Sequence, residues 1–167
     1  VGNNTFVLAG GGTTEYNANI TLPSSQNNYN NLTINTSGTV LQLNNSLTLY
    51  GNLRVVSGNY RINDNTAARR QLIVSGNVTV ESGGSISVGT GNTVTGGHTP
   101  LTTVNGGTAP FINYYDQETH RVVVYGDFIN KGTVRFTNQA YPVYNAFPGN
   151  GAATVYFLGN TNNTVIC

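Results

Sequence analysis

The chain has 167 residues, enough for one domain of ordinary size. Only 8% of them are charged, seven Lys and Arg against six Asp and Glu, for a formal net charge of +1, where an average soluble protein carries about 25%. Phosphate-mediated nucleic-acid binding needs a basic face, a helical bundle needs Ala, Glu, Lys and Leu in quantity, and a spanning helix needs roughly 18 consecutive apolar residues. The sequence supplies none of these, so neither nucleic acid nor membrane insertion is expected. What it has in abundance is 26 Asn, 23 Thr and 21 Gly, a β-branched and turn-rich mixture that points to an all-β protein.

In chain order, residues 1–30 hold Gly10-Gly11-Gly12 and Pro23-Ser24-Ser25-Gln26 with few apolar pairs, and read as a cap or lead-in segment. Asn31-Leu32-Thr33-Ile34, then Gly38, Val40 and Leu43, begin an alternating pattern. It sharpens in three aligned segments. Leu47-Thr48-Leu49-Tyr50-Gly51-Asn52-Leu53-Arg54-Val55 is followed by Gly58, Tyr60 and Ile62. Leu72-Ile73-Val74-Ser75-Gly76-Asn77-Val78-Thr79-Val80 is followed by Gly83, Ile86 and Val88. Val122-Val123-Val124-Tyr125-Gly126-Asp127-Phe128-Ile129-Asn130 is followed by Gly132, Val134 and Phe136. Residues 89–120 and 138–151 interrupt the pattern and read as loop insertions. Thr154-Val155-Tyr156-Phe157-Leu158-Gly159-Asn160 and Thr164-Val165-Ile166 are a last echo.

Each run alternates with period 2, so one face is buried and the other exposed. The Gly-Asn and Gly-Asp pairs suit corners with positive φ, where Gly costs nothing sterically. Gly51, Gly76 and Gly126 are separated by 25 and 50 residues, one period and two. Three short strands per repeat predict a right-handed parallel β-helix, a solenoid of about six or seven coils and about 30 Å long at the interstrand spacing. Its core would hold Leu47, Leu49, Leu53, Val55, Leu72, Val74, Val78, Val80, Val122, Val124, Phe128, Val134 and Phe136. An antiparallel sandwich also has short strands at such spacing, but not a Gly-Asn repeat at fixed phase.

Motifs for chemistry are few. There is no phosphate-binding loop around the single lysine, Lys131. Two histidines, His98 and His120, and one cysteine leave no metal set, and no cofactor is expected. Cys167 cannot form an internal disulfide. In an extended segment Asp116, Glu118 and His120 would share a face, the residue types of a glycosidase pair, yet six acids in the whole chain give a charged cleft little support. The aromatic loops are richer: Phe111, Tyr114 and Tyr115 in one, and Tyr141, Tyr144 and Phe147 with Asn145 in the other. Rings beside Asn, Gln and acids suit sugar stacking and protein contact. The candidate ligand surface is therefore Phe111, Tyr114, Tyr115, Asp116, Glu118, Tyr141, Tyr144 and Asn145, with no catalytic residue assigned.

The phrases Gly51-Asn52-Leu53-Arg54-Val55-Val56-Ser57-Gly58, Gly126-Asp127-Phe128-Ile129-Asn130-Lys131-Gly132-Thr133-Val134-Arg135-Phe136-Thr137 and Gly151-Ala152-Ala153-Thr154-Val155-Tyr156-Phe157 resemble the β-helical repeats of large secreted surface proteins of Bacteroidetes-type bacteria. The likeness spans roughly residues 31–167. It implies an adhesin-like cargo of the type IX secretion system, located at the cell surface, with export machinery and a glycan or cell-surface protein as partners. It implies no catalytic residues. A longer exported parent, continuing past residue 167, is expected. The alternatives are a carbohydrate-active β-helix enzyme, a lyase or glycosidase using Asp116 and Glu118, and a fibre subunit that associates end to end.

Overall fold

The structure is a computed structural model and describes residues 11–64, 68–89, 120–136, 153–159 and 164–166. These residues form thirteen strands and no helix. They are β1 (Thr13–Tyr16), β2 (Ile20–Thr21), β3 (Asn28–Tyr29), β4 (Asn31–Gln42), β5 (Ser46–Leu49), β6 (Leu53–Ile62), β7 (Gln71–Val74), β8 (Val78–Val88), β9 (His120–Val124), β10 (Phe128–Asn130), β11 (Thr133–Arg135), β12 (Ala153–Phe157) and β13 (Val165–Ile166). All pairings are parallel, in two sheets. One sheet runs β1-β4-β6-β8-β10-β13, with β2 on β4 and β11 on β8; the other runs β12-β9-β7-β5-β3. The expected all-β parallel class is what the chain adopts. The sheets already include strands ahead of Asn31.

Alternation sets which side chains meet. Strands visit the two sheets in turn, and each inward residue lands on the same type one level along. Leu32, Leu53, Val78 and Phe128 are in register across the larger sheet, and Tyr29, Leu49, Val74 and Val124 across the smaller. These residues are 0–4% exposed and belong to one apolar cluster, so the core lies between the sheets. Of the expected core residues, Val134 and Phe136 are half-buried at its margin and the others are buried. The long strands bend where pairing slips, at Asn35 in β4 and between Val55 and Ser57 in β6. Gly58 takes the bend with φ of 78°, a conformation that costs other residues.

Two expectations about the Gly-Asn pairs need correction. First, the 50 residues from Gly76 to Gly126 are one level, not two. Gly76 N–H donates to Gly51 O at 2.9 Å, and Gly126 N–H donates directly to Gly76 O at 3.1 Å. The extra length is accommodated between β8 and β9, which leaves the stacking unchanged. Second, these pairs are not left-handed corners: among the described residues positive φ occurs only at Gly11, Gly58, Gly89 and Asn63. The amide side chains explain the pattern instead. Asn31 Oδ1 accepts from Asn52 N–H at 2.8 Å, Asn52 Oδ1 from Asn77 N–H at 2.7 Å, Asn77 Oδ1 from Asp127 N–H at 2.9 Å, and Asp127 Oδ1 from Thr164 N–H at 2.9 Å. The result is a ladder that satisfies one backbone donor per level. Each glycine sits where a Cβ would run into the ladder oxygen of the preceding level, Asn31 for Gly51, Asn52 for Gly76 and Asn77 for Gly126.

Candidate functional site

The connections between sheets are of two kinds. From the smaller sheet to the larger, residues 50–52, 75–77 and 125–127 each close the step in three residues, and the ladder holds them. From the larger sheet back to the smaller, the connections are 43–45, 63–70, 89–119 and 136–152 on successive levels, from three residues to thirty-one. The ladder accompanies three central steps of equal length, while on the same side the step from β3 to β4 takes residue 30 alone and the step from β12 to β13 takes 158–164. On the opposite side chain length varies far more, and the strands that flank those connections still pair in register. Per-repeat insertions on one face are the usual mark of a binding face in stacked-repeat proteins.

The sequence-predicted residues Phe111, Tyr114, Tyr115, Asp116 and Glu118 fall in the connection between β8 and β9. Tyr141, Tyr144, Asn145 and Phe147 fall in the one between β11 and β12. All lie outside the described residues, as does Cys167. The two segments nonetheless leave and rejoin the sheets on adjacent levels of the same side, because β11 pairs with β8 and β12 with β9.

At the base of these connections the structure gathers residues that the sequence reading did not single out. Arg70, 8% exposed, ties three levels together. Its Nη1 donates to Asn45 Oδ1 at 2.6 Å and its Nε to Asn63 Oδ1 at 3.1 Å. Its backbone N–H donates to His120 Nδ1 at 2.9 Å, and its carbonyl accepts from Arg121 N–H at 2.9 Å. A ring nitrogen that accepts from an amide carries no proton, so the buried His120 is neutral with its hydrogen on Nε2. Burial lowers the Arg70 pKa from its usual value, and the nearby Asp64 carboxylate opposes that shift; the guanidinium stays charged. Asn63 holds its place by adopting the left-handed conformation, φ 64°, which asparagine tolerates. Arg121 lies over the Tyr156 ring, 4.8 Å from its centroid, a cation–π contact.

Two open cavities adjoin here. A cationic one of about 240 Å³ is lined by Asn45, Arg69, Arg70, Gln71 and Arg121. A neutral one of about 400 Å³ is lined by asparagines, serines, Thr48 and a single apolar residue, Leu43, and it shares Asn45 with the first. The Arg69-Arg70 pair in so uncharged a chain, just ahead of Gln71, which pairs with Arg121, was the available sequence signal. The other charged group, Arg54 and Lys131 around Glu81 at 3.0 and 3.7 Å, lies on the exposed face of the larger sheet. Hydrogen bonds from Arg54 hold the Glu81 carboxyl below its usual range. Among the described residues no three His, Cys, Asp or Glu come together as a metal set, and no helix is long and apolar enough to cross a membrane. No family model matches the chain, and no curated protein or solved structure matches it.

Proposed function

We propose that the chain is a non-catalytic β-solenoid module of a secreted bacterial surface protein, which presents its long connections to glycans or protein partners. Alternate visits to two parallel sheets, each advancing one level, support a right-handed β-helix. The six strands abreast in the larger sheet support a rod of about six coils. The observation that carries the function is the concentration of chain length on one side, where connections reach thirty-one residues against at most seven on the ladder side. The resemblance to type IX cargo supports a surface location and passage through export machinery. The test is a glycan array with the chain and a Tyr114, Tyr115, Tyr141 and Tyr144→Ala variant. Loss of array binding at unchanged circular dichroism is expected; unchanged binding by the variant overturns the assignment.

A specific feature favours end-to-end association as a second reading. Phe157, Leu158, Val165 and Ile166 are 41–51% exposed at the last edge of both sheets, where strand hydrogen-bonding groups are open to another chain. A chain that sediments as a monomer at high concentration overturns it.

A further inference from the structure

The two cavities form one groove along the long-connection side of the smaller sheet. Ser46, Gln71 and Arg121 are in register on adjacent strands, so the groove climbs about 10 Å from a neutral end to a cationic end. Three of the chain's seven cations line the cationic end, with Asp64 the acid close enough to be felt by Arg70. Two of the guanidinium groups are fixed in place, Arg70 by Asn45 and Asn63, and Arg121 by the Tyr156 ring, so little side-chain freedom remains to be lost on binding. Buried side-chain atoms with no hydrogen-bond partner among the described residues include Asn44 Oδ1 at the neutral end and Arg121 Nε at the cationic end, and also Arg61 Nε, which lines neither cavity. Unsatisfied buried polar atoms are rare and call for an explanation, and here one stands at each end of the same groove.

From this we infer that the groove binds an acidic saccharide, its carboxylate or sulfate at Arg69, Arg70 and Arg121 and its hydroxyls along the asparagine and serine wall. The inference rests on the glycan reading above and narrows it to a charged class. Guanidinium groups match the planar or tetrahedral oxygens of such anions, and amide and hydroxyl groups match sugar hydroxyls. A peptide would call for apolar pockets and a nucleotide for an aromatic platform, and among the described lining residues the neutral end offers only Leu43.

The test is calorimetric titration of the full chain with a galacturonic acid oligomer, its methyl ester, a sulfated oligosaccharide and inorganic sulfate. One acidic oligomer is expected to bind about tenfold or more tighter than the ester, as the loss of charge-assisted hydrogen bonds dictates. Comparison of the uronate and sulfate arms identifies the anion. Arg69→Gln, at an exposed position, and Arg121→Gln should each weaken that binding severalfold, as should added salt. Equal binding of acid and ester leaves the glycan reading standing and overturns charge recognition. Undiminished binding by the double variant, or inorganic sulfate binding as tightly as the sulfated oligomer, overturns the saccharide site. No binding in any arm overturns the inference, while a neutral hit on the array would still uphold the broader reading.

Discussion

If the Gly-Asn pair exists because a side chain occupies the place of a Cβ, then Gly51 and Asn31 must be energetically coupled. A Cβ on Gly51 would collide with Asn31 Oδ1 and stand 3.0 Å from its Cγ, while the nearest backbone atom, Asn30 O, is 3.1 Å away. Gly51→Ala alone should cost about 1–3 kcal/mol by overpacking. Asn31→Ala alone removes the acceptor of Asn52 N–H, an exposed bond of 2.8 Å, and should cost about 1 kcal/mol. Together they should cost less than the sum by about 1 kcal/mol, because only the contact with Asn30 O remains. Since φ at Gly51 is not positive, alanine then also gains by restricting the unfolded chain. The same cycle at Gly76 and Asn52 should show weaker coupling, for there Gly51 O remains 2.8 Å from the new Cβ. Urea midpoints at constant m-value give these energies. Additivity within about 0.3 kcal/mol in both cycles, or stronger coupling at Gly76, would refute the steric account of the ladder.

Other expectations follow from the core and the buried polar groups. Tyr29 and Tyr60 are fully buried, and desolvation raises both phenol pKa values, assisted at Tyr29 by the hydrogen bond with Tyr16. The unfolded chain releases these protons near pH 10 and the native one does not. Stability is therefore complete below about pH 10 and falls above it by about 1.4 kcal/mol per pH unit per phenol; alkaline urea titrations of the chain and of Tyr60→Phe check the slope. At neutral pH, Tyr60→Phe should itself cost about 1–3 kcal/mol, because Gln42 Oε1 loses a buried donor at 2.6 Å. Leu53→Ala should cost about 2–5 kcal/mol by chemical denaturation, since it empties the centre of a stack between Leu32 and Val78. Val165→Lys with Ile166→Lys should shift any concentration-dependent sedimentation to monomer and leave the urea midpoint nearly unchanged, both side chains being half exposed.

The strands were legible because alternation and stacking impose the same apolar type at the same phase, as Leu53 and Val78 do. The phase of Gly51, Gly76 and Gly126 was legible for the same reason, whereas its cause was not. A Gly-Asn pair looks like a tight turn in one dimension. The contact that selects it runs to a residue one level earlier, Asn31 for Gly51 and Asn52 for Gly76. Spacing alone could not separate an inserted connection from a missing level; the hydrogen bond from Gly126 to Gly76 decides it. The cationic end of the groove was hidden likewise, since Arg70 meets His120 across 50 residues and Asn45 across 25.

The ladder of Asn31, Asn52, Asn77 and Asp127 stands on one side of the sheets, and the proposed saccharide site at Asn45, Gln71 and Arg121 stands on the other. Amide chemical-shift mapping of the labelled chain with the acidic oligosaccharide that binds in calorimetry compares them directly. Perturbations at Asn45, Ser46, Gln71 and Arg121 with the ladder amides unmoved are predicted. Perturbations centred on the ladder, or none on either side, would contradict it.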